Sequence, residues 1–277
     1  MSTDELVAPV VKWVGGKRQI IEQIIKYVPT SFSTYFEPFL GGGAVLFTLQ
    51  PERAVVNDLN EELMNLYRVV QKDVEGLIED LKLHRNEKEY FYEIRQLDRD
   101  KERYNSLTPV QRASRMIYLN KTCYNGLYRV NKSGQFNTPF GRYKNPNIVN
   151  EEVLRAVHDY FQGAEITFCC TDFEIVVEDA TEEDFVYFDP PYDPVSDTAF
   201  FTDYAKEGFN REEQRRLKAT CDRVNEKGVR FLLSNSATDF IKNLYEEYHI
   251  EIIQAKRAIN SKANKRGAVD EVLVMNY

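Results

Sequence analysis

The tetrapeptide Asp189-Pro190-Pro191-Tyr192 follows directly on Phe185–Phe188, an apolar run typical of a buried strand. Open α/β sheets bind ligands at the carboxyl ends of their strands. Because each proline disfavours helix at the preceding residue and Pro190 has no N–H, the loop is stiff and rich in acceptors. It could hold an amine with two N–H groups, such as the exocyclic amine of adenine, between Asp189 and the Pro190 carbonyl, with Tyr192 stacked on the base. The alternative is a strand-end turn followed by a core tyrosine.

A second feature is the glycine run Gly41-Gly42-Gly43, which follows the strand-like Tyr35–Phe39 and precedes an apolar helical pattern. Glycines allow a sharp turn and a close ligand approach, and the following helix begins with unpaired N–H groups. Asp58 closes the next strand-like run, where a carboxylate can bind ribose hydroxyls. Asp58 could also cap the helix that follows. We expect ligand contact at both loops.

The apolar patterns predict the elements that position these loops. Gln19–Val28 and Arg211–Val224 are amphipathic, and Leu217, Cys221 and Val224 share one helical face. Alternation of such helices with strands predicts a mainly parallel sheet with helices on both faces, a Rossmann-like α/β fold. The predicted strands are Tyr35–Phe39, Ala54–Asn57, Ile166–Cys170, Phe185–Phe188, Val229–Leu233, Ile250–Ala255 and Glu271–Asn276.

The region 60–161 has a different apolar pattern, because its apolar residues recur at helical spacing from Leu63 through Leu81. It lies between the second and third predicted strands. We therefore predict a mainly helical domain at 60–161, inserted into an α/β domain formed by 1–59 and 162–277. The insert would supply recognition, and the sheet would supply chemistry.

Charge is segregated along the chain, although its 277 residues carry a net charge of −8. Two stretches, 103–150 and 252–269, contain no acidic residue. Such patches attract a polyanion because phosphate attraction depends on local potential. Nucleic acid is favoured over two solvated loops, since the first stretch also carries Asn, Tyr, Phe and Gly. Its positive charges are Arg103, Arg112, Arg115, Lys121, Arg129, Lys132, Arg142 and Lys144.

Several classes of protein and site are disfavoured. No apolar run reaches the roughly 18 residues of a membrane span, and the first nine residues do not resemble a signal peptide. A cytoplasmic protein without membrane contact is therefore expected. The cysteines form no C-x-x-C pair, so buried reduced thiols and no metal are expected. The three histidines are expected to face solvent. These residues are Cys123, Cys169, Cys170, Cys221, His84, His158 and His249.

Taken together, the motifs resemble the Dam-type DNA adenine N6-methyltransferases, including GATC methylases of restriction–modification systems. The resemblance covers nearly the whole chain and keeps the order of donor loop, recognition insert and catalytic loop. Besides the two loops described above and Val56-Asn57-Asp58, it includes three segments. They are Lys12-Trp13-Val14-Gly15-Gly16-Lys17, Tyr124-Asn125-Gly126-Leu127-Tyr128-Arg129 and Asn137-Thr138-Pro139-Phe140-Gly141-Arg142-Tyr143-Lys144.

The resemblance implies a cofactor, S-adenosyl-L-methionine, and a set of residues that contact it. Phe173 and Asp172 would flank its adenine, and the glycine loop would lie beneath its methionine part. Asp189, Pro190 and Tyr192 would be catalytic. The implied cofactor residues are Trp13, Lys17, Glu37, Phe39, Gly41, Gly43, Asp58, Asp172, Phe173 and Asp189.

It also implies double-stranded DNA as substrate, with GATC as the site. Lys12 would read a base, and Arg142 and Lys144 would contact phosphates. Other positions would read the site or fill the gap left by a flipped base, although Leu127 and Tyr143 could instead belong to the core of the insert. The implied DNA contacts are Lys12, Leu127, Arg129, Asn131, Pro139, Arg142, Tyr143 and Lys144.

Three other functions fit parts of the pattern. A methyltransferase of RNA or of a protein amide could use a similar catalytic loop. A nicotinamide-dependent dehydrogenase shares the strand and glycine turn, but Asp189–Tyr192 would then have no role. A non-catalytic DNA-binding module would leave both ligand loops unused. No stable protein partner is implied, although a restriction endonuclease acting on the same site could accompany the enzyme.

Overall fold

A computed structural model describes residues 6–195, 208–256 and 268–277 of the chain. Seven strands form one sheet in the order β3-β2-β1-β4-β5-β7-β6. The pairs β1–β2, β1–β4 and β4–β5 are parallel, whereas β7 runs antiparallel to β5 and to β6. The strands are β1 (Tyr35–Glu37), β2 (Arg53–Asn57), β3 (Glu165–Cys169), β4 (Phe185–Phe188), β5 (Arg230–Ser236), β6 (His249–Lys256) and β7 (Ala268–Met275). The predicted mainly parallel α/β sheet is confirmed.

Strand β4, in the middle of the sheet, is continuously apolar, as is typical of parallel strands that are covered on both faces of the sheet. All four residues of β4 are buried, without the alternation of a half-exposed strand. In register, Tyr35 of β1 faces Phe185, and Phe188 faces Leu233 of β5. The carboxyl ends of β1 and β4 are thereby fixed by buried side chains, and a loop starts at each end.

The chain divides into two compact units. One unit contains 41–52 and 58–170 together with the N-terminal residues up to Gly16, and we call it the helical unit. The other contains 17–40, 53–57 and the chain from Thr171 onward, and we call it the sheet unit. These bounds differ from the predicted 60–161 insert. The helix that follows the glycines stays with the helical unit because its Phe47 packs on Tyr67 and Phe161, with ring centroids 6.1 and 6.0 Å apart.

Side-chain caps define the main helices of the helical unit. Asn60 accepts the Leu63 N–H at the start of one helix, and Thr108 forms a capping box with Gln111 at the start of another. Between Thr122 and Glu151 the chain instead forms a 3₁₀ turn and two isolated bridges. The helices are α2 (Ala44–Leu49), α3 (Glu61–Lys72), α4 (Val74–Lys82), α5 (Lys88–Gln96), α6 (Lys101–Asn105), α7 (Pro109–Thr122) and α8 (Glu151–Gly163).

The sheet unit has fewer helices among its described residues. The longest of these helices begins at Arg211, and the side chain of the preceding residue, Asn210, caps it by accepting the N–H groups of Glu212 and Glu213. The predicted apolar face of this helix is buried, with Leu217 and Cys221 fully enclosed. Near the N-terminus, the predicted helix 19–28 is a 3₁₀ turn followed by a short α-helix. The helices of the sheet unit are α1 (Ile21–Ile25), α9 (Phe173–Val176), α10 (Arg211–Glu226) and α11 (Asp239–Leu244).

In the described part of the chain, no helix is both long enough and apolar enough to cross a membrane.

Candidate active site and recognition segment

The carboxylate of Asp189, at the end of β4, lies among polar partners inside the sheet unit. The ammonium of Lys17 lies 2.6 Å from its Oδ1 atom, and the two side chains are only 7% and 18% exposed. The Ser234 hydroxyl donates to the same oxygen at 2.9 Å. A serine hydroxyl has one proton, and Ser234 donates it to Asp189. In the 3.0 Å contact between Tyr187 and Ser234, the Tyr187 hydroxyl is therefore the donor. A directed set of donors thus holds one carboxylate oxygen.

Two opposing effects act on the ionisation of Asp189. Burial raises the pKa of its carboxyl above the ordinary value, because a charge is costly away from water. The positive charge and hydrogen bond of Lys17, and then the hydrogen bond from Ser234, oppose that rise of the pKa. Lys17 therefore favours the carboxylate form of Asp189, which accepts hydrogen bonds from an amine.

Tyr192 is held at both ends of its side chain. Its hydroxyl donates to Glu271 Oε2 of β7 at 2.8 Å, and the Lys17 ammonium lies 4.4 Å from the centroid of its ring. A cation over an aromatic face is attracted by the negative potential of that face. The structure thus brings together Lys17, Asp189 and Tyr192, three of the predicted site residues.

The backbone of the loop is fixed from behind. Gln214 of α10 donates to the Pro191 carbonyl at 2.8 Å and accepts from Asn235 at 3.1 Å. Asn235 in turn accepts the Asp193 N–H at 3.0 Å. The Asp193 carboxylate pairs with Arg211 at 3.0 Å. Because these contacts hold the peptide on both sides of Tyr192, the loop does not rely on its prolines alone.

Sequence reasoning did not identify this supporting set. Ser234, Asn235 and Ser236 extend β5 beyond the predicted end at Leu233, and all three are buried. A polar triplet of this kind is typical of a loop, so the pattern gave no strand signal. A possible signal was its position after a buried strand beside β4, since buried polar groups need partners.

A separate set of predicted residues meets in the helical unit, around the glycine turn. Gly41 has a φ of +49° and Gly43 a φ of +70°, in the left-handed region that glycine adopts without strain. The Gly41 N–H donates to Asp58 Oδ2 at 3.0 Å. A Cβ on Gly41 would lie 2.9 Å from Trp13 Cδ1, so the turn packs directly against the indole.

Asp58 has a double role within its loop. Its other oxygen, Oδ1, accepts the Asn60 N–H at 2.9 Å, whereas the cap of the next helix is Asn60 itself. The alternative prediction of Asp58 as the helix cap is therefore wrong. Burial raises the pKa of Asp58, opposed by the hydrogen bonds from Asn60 and Gly41. The carboxylate shapes the glycine turn and remains half-buried at the end of β2.

Aromatic residues cluster next to the end of β1 in the sheet unit. The Phe39 ring lies 5.3 Å from the ring of Phe173, which is buried. Asp172 caps α9 by accepting the Glu174 N–H at 3.0 Å, and it pairs with Arg216 at 2.5 Å. Asp172 and Phe173, predicted to flank the adenine of the cofactor, thus lie next to Phe39, another predicted cofactor residue.

Two buried polar side chains support the end of β1. Glu37 is 2% exposed and accepts the Tyr35 hydroxyl at 2.9 Å. Asn57 donates to the Pro38 carbonyl at 2.9 Å and accepts the Thr171 N–H at 2.8 Å. The peptide that leads into the glycine turn is therefore fixed before the first glycine.

Residues 123–144, which we call the recognition segment, present most of the predicted DNA contacts to solvent. Leu127 is half-buried, and the other predicted contacts of the segment are exposed. Tyr124, which the residue predictions did not include, is 57% exposed and extends the same segment. Its signal was its place at the start of a segment that carries the family resemblance. The exposed predicted residues are Arg129, Asn131, Pro139, Arg142, Tyr143 and Lys144.

Hydrogen bonds within the segment distinguish the side chains that stabilise its conformation from those that are only exposed to solvent. Arg129 Nε donates to Asn137 Oδ1 at 2.9 Å, and the Asn137 N–H donates to the Arg129 carbonyl at 2.9 Å. Asn131 accepts the N–H groups of Ser133 and Gln135 at 3.0 Å, which closes the turn between them. Asn131 therefore has a structural role whether or not it contacts DNA.

Lys12 lies beside this segment rather than extending alone into solvent. Its ammonium donates to the Asn125 carbonyl at 2.7 Å, and its backbone N–H donates to Asn120 at 2.9 Å. Asn120 returns a hydrogen bond to the Lys12 carbonyl at 2.8 Å. The predicted base-reading lysine is thus anchored to the start of the recognition segment.

Two positively charged residues of the predicted basic patch form ion pairs within the protein. Arg112 pairs with Glu62, and Arg115, 3% exposed, pairs with Asp98 at 2.8 Å. The patch is therefore smaller than the sequence indicated, because acidic residues outside the stretch fold onto it. Most of the second stretch, 257–267, lies outside the described residues.

Other expectations about titratable residues need correction. The His84 side chain is 8% exposed rather than solvent-facing, and its ring nitrogens contact Tyr90 and Ser114. His249 is exposed as expected. All four cysteines are free, but only Cys123 and Cys221 are buried, whereas Cys169 is half-buried and Cys170 is exposed. Across 6–195, 208–256 and 268–277, no cluster of three or more His, Cys, Asp or Glu side chains could hold a metal ion.

Comparisons with known proteins agree on one class of enzyme. Residues 13–259 match the family described as D12 class N6 adenine-specific DNA methyltransferase. The chain is 44% identical to the Type II methyltransferase M1.LlaDCHI of Lactococcus lactis subsp. cremoris, over 97% of this chain and 95% of that protein. It is 45% identical to the Type II methyltransferase M.MjaIII of Methanocaldococcus jannaschii, over 98% and 99%. A DNA adenine methylase of Haemophilus influenzae is 32% identical, over 96% and 93%.

Proposed function

Since the chain belongs to the D12 class of N6 adenine-specific DNA methyltransferases, we propose that it is a site-specific enzyme that methylates adenine within GATC in duplex DNA. Asp189 would hold the target amine. The observation that carries this role is the shielded carboxylate of Asp189, which lies 2.6 Å from the Lys17 ammonium, a group that also lies 4.4 Å from the centroid of the Tyr192 ring. The GATC site rests on the resemblance of the recognition segment to the Dam type.

The methyl donor of this family is S-adenosyl-L-methionine, which supplies an electrophilic methyl group when bound. Within each unit taken by itself, the residues present have chemistry that suits a part of such a molecule. Asp58 provides a carboxylate for ribose hydroxyls, and Phe39 and Phe173 provide aromatic faces for an adenine. Trp13 lies against the glycine turn, where a Cβ on Gly41 would approach within 2.9 Å.

Three residues of the loop after β4, Asp189, Pro190 and Tyr192, would act on the target adenine. Asp189 would accept one N–H of the amine and the Pro190 carbonyl the other, which directs the nitrogen lone pair at the methyl group that the donor would supply. The nitrogen–methyl bond would form as the methyl–sulfur bond breaks, S-adenosylhomocysteine would leave, and the methylated nitrogen would release one proton to solvent. Lys17 and Ser234 keep Asp189 ionised and oriented during this step. Tyr192, with its hydroxyl fixed by Glu271, presents a ring on which a base extruded from the duplex stacks. The protein thus contributes position and electrostatics, and no covalent intermediate with the enzyme is required.

Recognition of the duplex would belong to the recognition segment. Arg129 can donate two bonds to a guanine edge, whereas Arg142 and Lys144 anchor phosphates without reading sequence. Leu127, Pro139 and Tyr143 would contact base edges or fill the place of the extruded adenine. Because the two most similar bacterial and archaeal relatives named above are Type II methyltransferases, we also propose a restriction endonuclease with the same site.

The decisive experiment is base-resolved sequencing of DNA from cells that lack adenine methylation and express the chain. We expect N6-methyladenine at GATC and none in cells expressing Asp189→Ala. His249→Gln, which alters an exposed strand residue, is the matched control and should leave the pattern unchanged. Methylation confined to another sequence would overturn the GATC assignment.

A competition between acceptors tests the proposal further. Purified protein is given duplex DNA, RNA and protein together with labelled methyl donor. Label in duplex DNA alone is expected. Transfer to RNA or to a protein amide with unmodified DNA would overturn the proposed substrate, and a fully active Asp189→Ala variant would overturn the role of the carboxylate.

A further inference from the structure

Tyr128 is a residue of the recognition segment with contacts in two directions. Its ring stacks on the Trp13 indole, with centroids 5.2 Å apart and planes 21° apart. It also contacts Phe136 at 5.2 Å, in a tilted arrangement. In sequence it stands between Leu127 and Arg129, two residues with proposed roles in site recognition. Any displacement of Tyr128 is therefore transmitted directly to both neighbours.

Trp13 in turn contacts the glycine turn. A Cβ on Gly42 would lie 3.2 Å from Trp13 Cβ, and one on Gly41 would lie still closer. The turn itself is held by Asp58 through the Gly41 N–H at 3.0 Å. The indole thus lies between the turn proposed to hold the donor and the ring of Tyr128.

The backbone at Trp13 cannot adjust independently of the recognition segment. Asn120, 2% exposed on α7, makes two hydrogen bonds to the peptide groups of Lys12 and donates to the Gly126 carbonyl at 3.2 Å. One buried side chain therefore fixes both the residue before Trp13 and a glycine of the segment. All of these contacts lie inside the helical unit.

We propose that Tyr128 is a positioning residue that couples occupation of the donor site to the arrangement of the recognition segment, through its stack on Trp13. This inference rests on the proposed function. A ligand that packs on the glycine turn restricts the indole, and the restricted indole restricts Tyr128 and hence Arg129. By linkage, a duplex that orders the segment must tighten donor binding by the same factor.

Binding without turnover measures this coupling. S-adenosylhomocysteine, the product of the donor, replaces it as the probe, and a GATC duplex is the second ligand. The Kd of each ligand is determined with and without the other. We expect tightening of about fivefold or more in the wild type, equal for the two ligands within error. Since Trp13 is the only tryptophan, its fluorescence reports both events.

Two variants separate the stack from general folding. Tyr128→Phe keeps the ring and should keep the coupling factor. Tyr128→Leu keeps apolar bulk without the ring, and its coupling factor should fall to within about twofold of unity, while S-adenosylhomocysteine alone binds as before. Circular dichroism establishes that both variants fold.

The outcomes distinguish this inference from the proposed function. Unchanged coupling in Tyr128→Leu, or a wild type whose two affinities are independent, would overturn the coupling and leave the enzyme assignment intact. Failure of the wild type to bind either ligand would instead overturn the proposed function, and the coupling with it.

Discussion

Lys17 Nζ lies 2.6 Å from Asp189 Oδ1, and both side chains are largely shielded from water. A charge pair in such surroundings is sensitive to loss of one member, because the remaining charge loses its partner but not its burial. The pair links the segment that precedes α1 to the loop after β4. The ionisation of the proposed catalytic carboxylate is therefore influenced by a residue that lies 172 positions earlier in the sequence.

Lys17→Met is expected to move the acid limb of the pH–rate profile to higher pH. Without the ammonium, only the Ser234 hydrogen bond still opposes the effect of burial, so the pKa of Asp189 rises further and less carboxylate is present at a given pH. We expect kcat/KM near neutral pH to fall by about tenfold or more, which corresponds to ~1.4 kcal/mol of transition-state stabilisation. Lys17→Arg retains the charge and should shift the acid limb less. An acid limb that stays in place in Lys17→Met would contradict this account.

Asn137→Ala is expected to reduce discrimination between GATC and near-cognate sites. Its side chain fixes Nε of Arg129 at 2.9 Å and so aims the terminal nitrogens of the guanidinium. Arg129→Ala should cost about 1–3 kcal/mol of discrimination, and Asn137→Ala should cost less because the guanidinium remains. The measurement is kcat/KM on duplexes with one substituted base pair.

Asn137→Asp provides the control for that prediction. It keeps the oxygen acceptor for Arg129 and adds a negative charge facing the duplex. Overall affinity should therefore fall with little change in the ratio between sites. Equal discrimination in wild type and Asn137→Ala would show that Asn137 does not orient the arginine.

His84 is expected to make stability depend on pH between about 4 and 6.5. Burial lowers its pKa to about 4, a shift only partly offset by Asp80, whereas the unfolded chain has the ordinary value of about 6.5. In this interval the unfolded state binds a proton that the folded state excludes. Stability is therefore lost as pH falls from 6.5 to 4, by up to about 3 kcal/mol, and His84 has no effect above that interval.

Urea unfolding at pH 7 and pH 5 tests this, with wild type compared with His84→Gln. The wild type should lose more free energy of unfolding between the two values than the variant does. His249→Gln, at an exposed histidine, should behave like the wild type. Parallel losses in wild type and His84→Gln would rule out the buried ring as the cause.

Local sequence patterns predicted the strands and helices, because burial of one face gives the apolar residues of each element a regular spacing. All seven predicted strands are present, and the buried face of α10 contains the three residues that its spacing indicated. The two loops also follow β1 and β4 as expected, since their glycines and prolines act through backbone conformation alone. What a residue does to its own backbone can be read from the sequence.

Contacts between distant residues could not be predicted in this way. Arg112 faces Glu62, fifty positions away, and that pairing removes a charge that the composition assigned to the basic patch. His84 is buried between helices whose packing no local period specifies. The support of the loop after β4 by Gln214 and Asn235 likewise depends on two elements that meet only in the folded protein.

In the recognition segment, the side chains exposed to solvent differ from the groups that hold the segment in its conformation. A Cβ on Gly141 would lie 2.7 Å from the Cys123 carbonyl oxygen, and the Thr138 hydroxyl donates to the Leu127 carbonyl at 2.5 Å. Pro139 and Lys144, in contrast, are exposed. If these positions contact DNA as proposed, substitutions there would change which base pairs are contacted while the residues that hold the segment's shape stay the same. Such an enzyme can drift towards a new target sequence through intermediates that still fold.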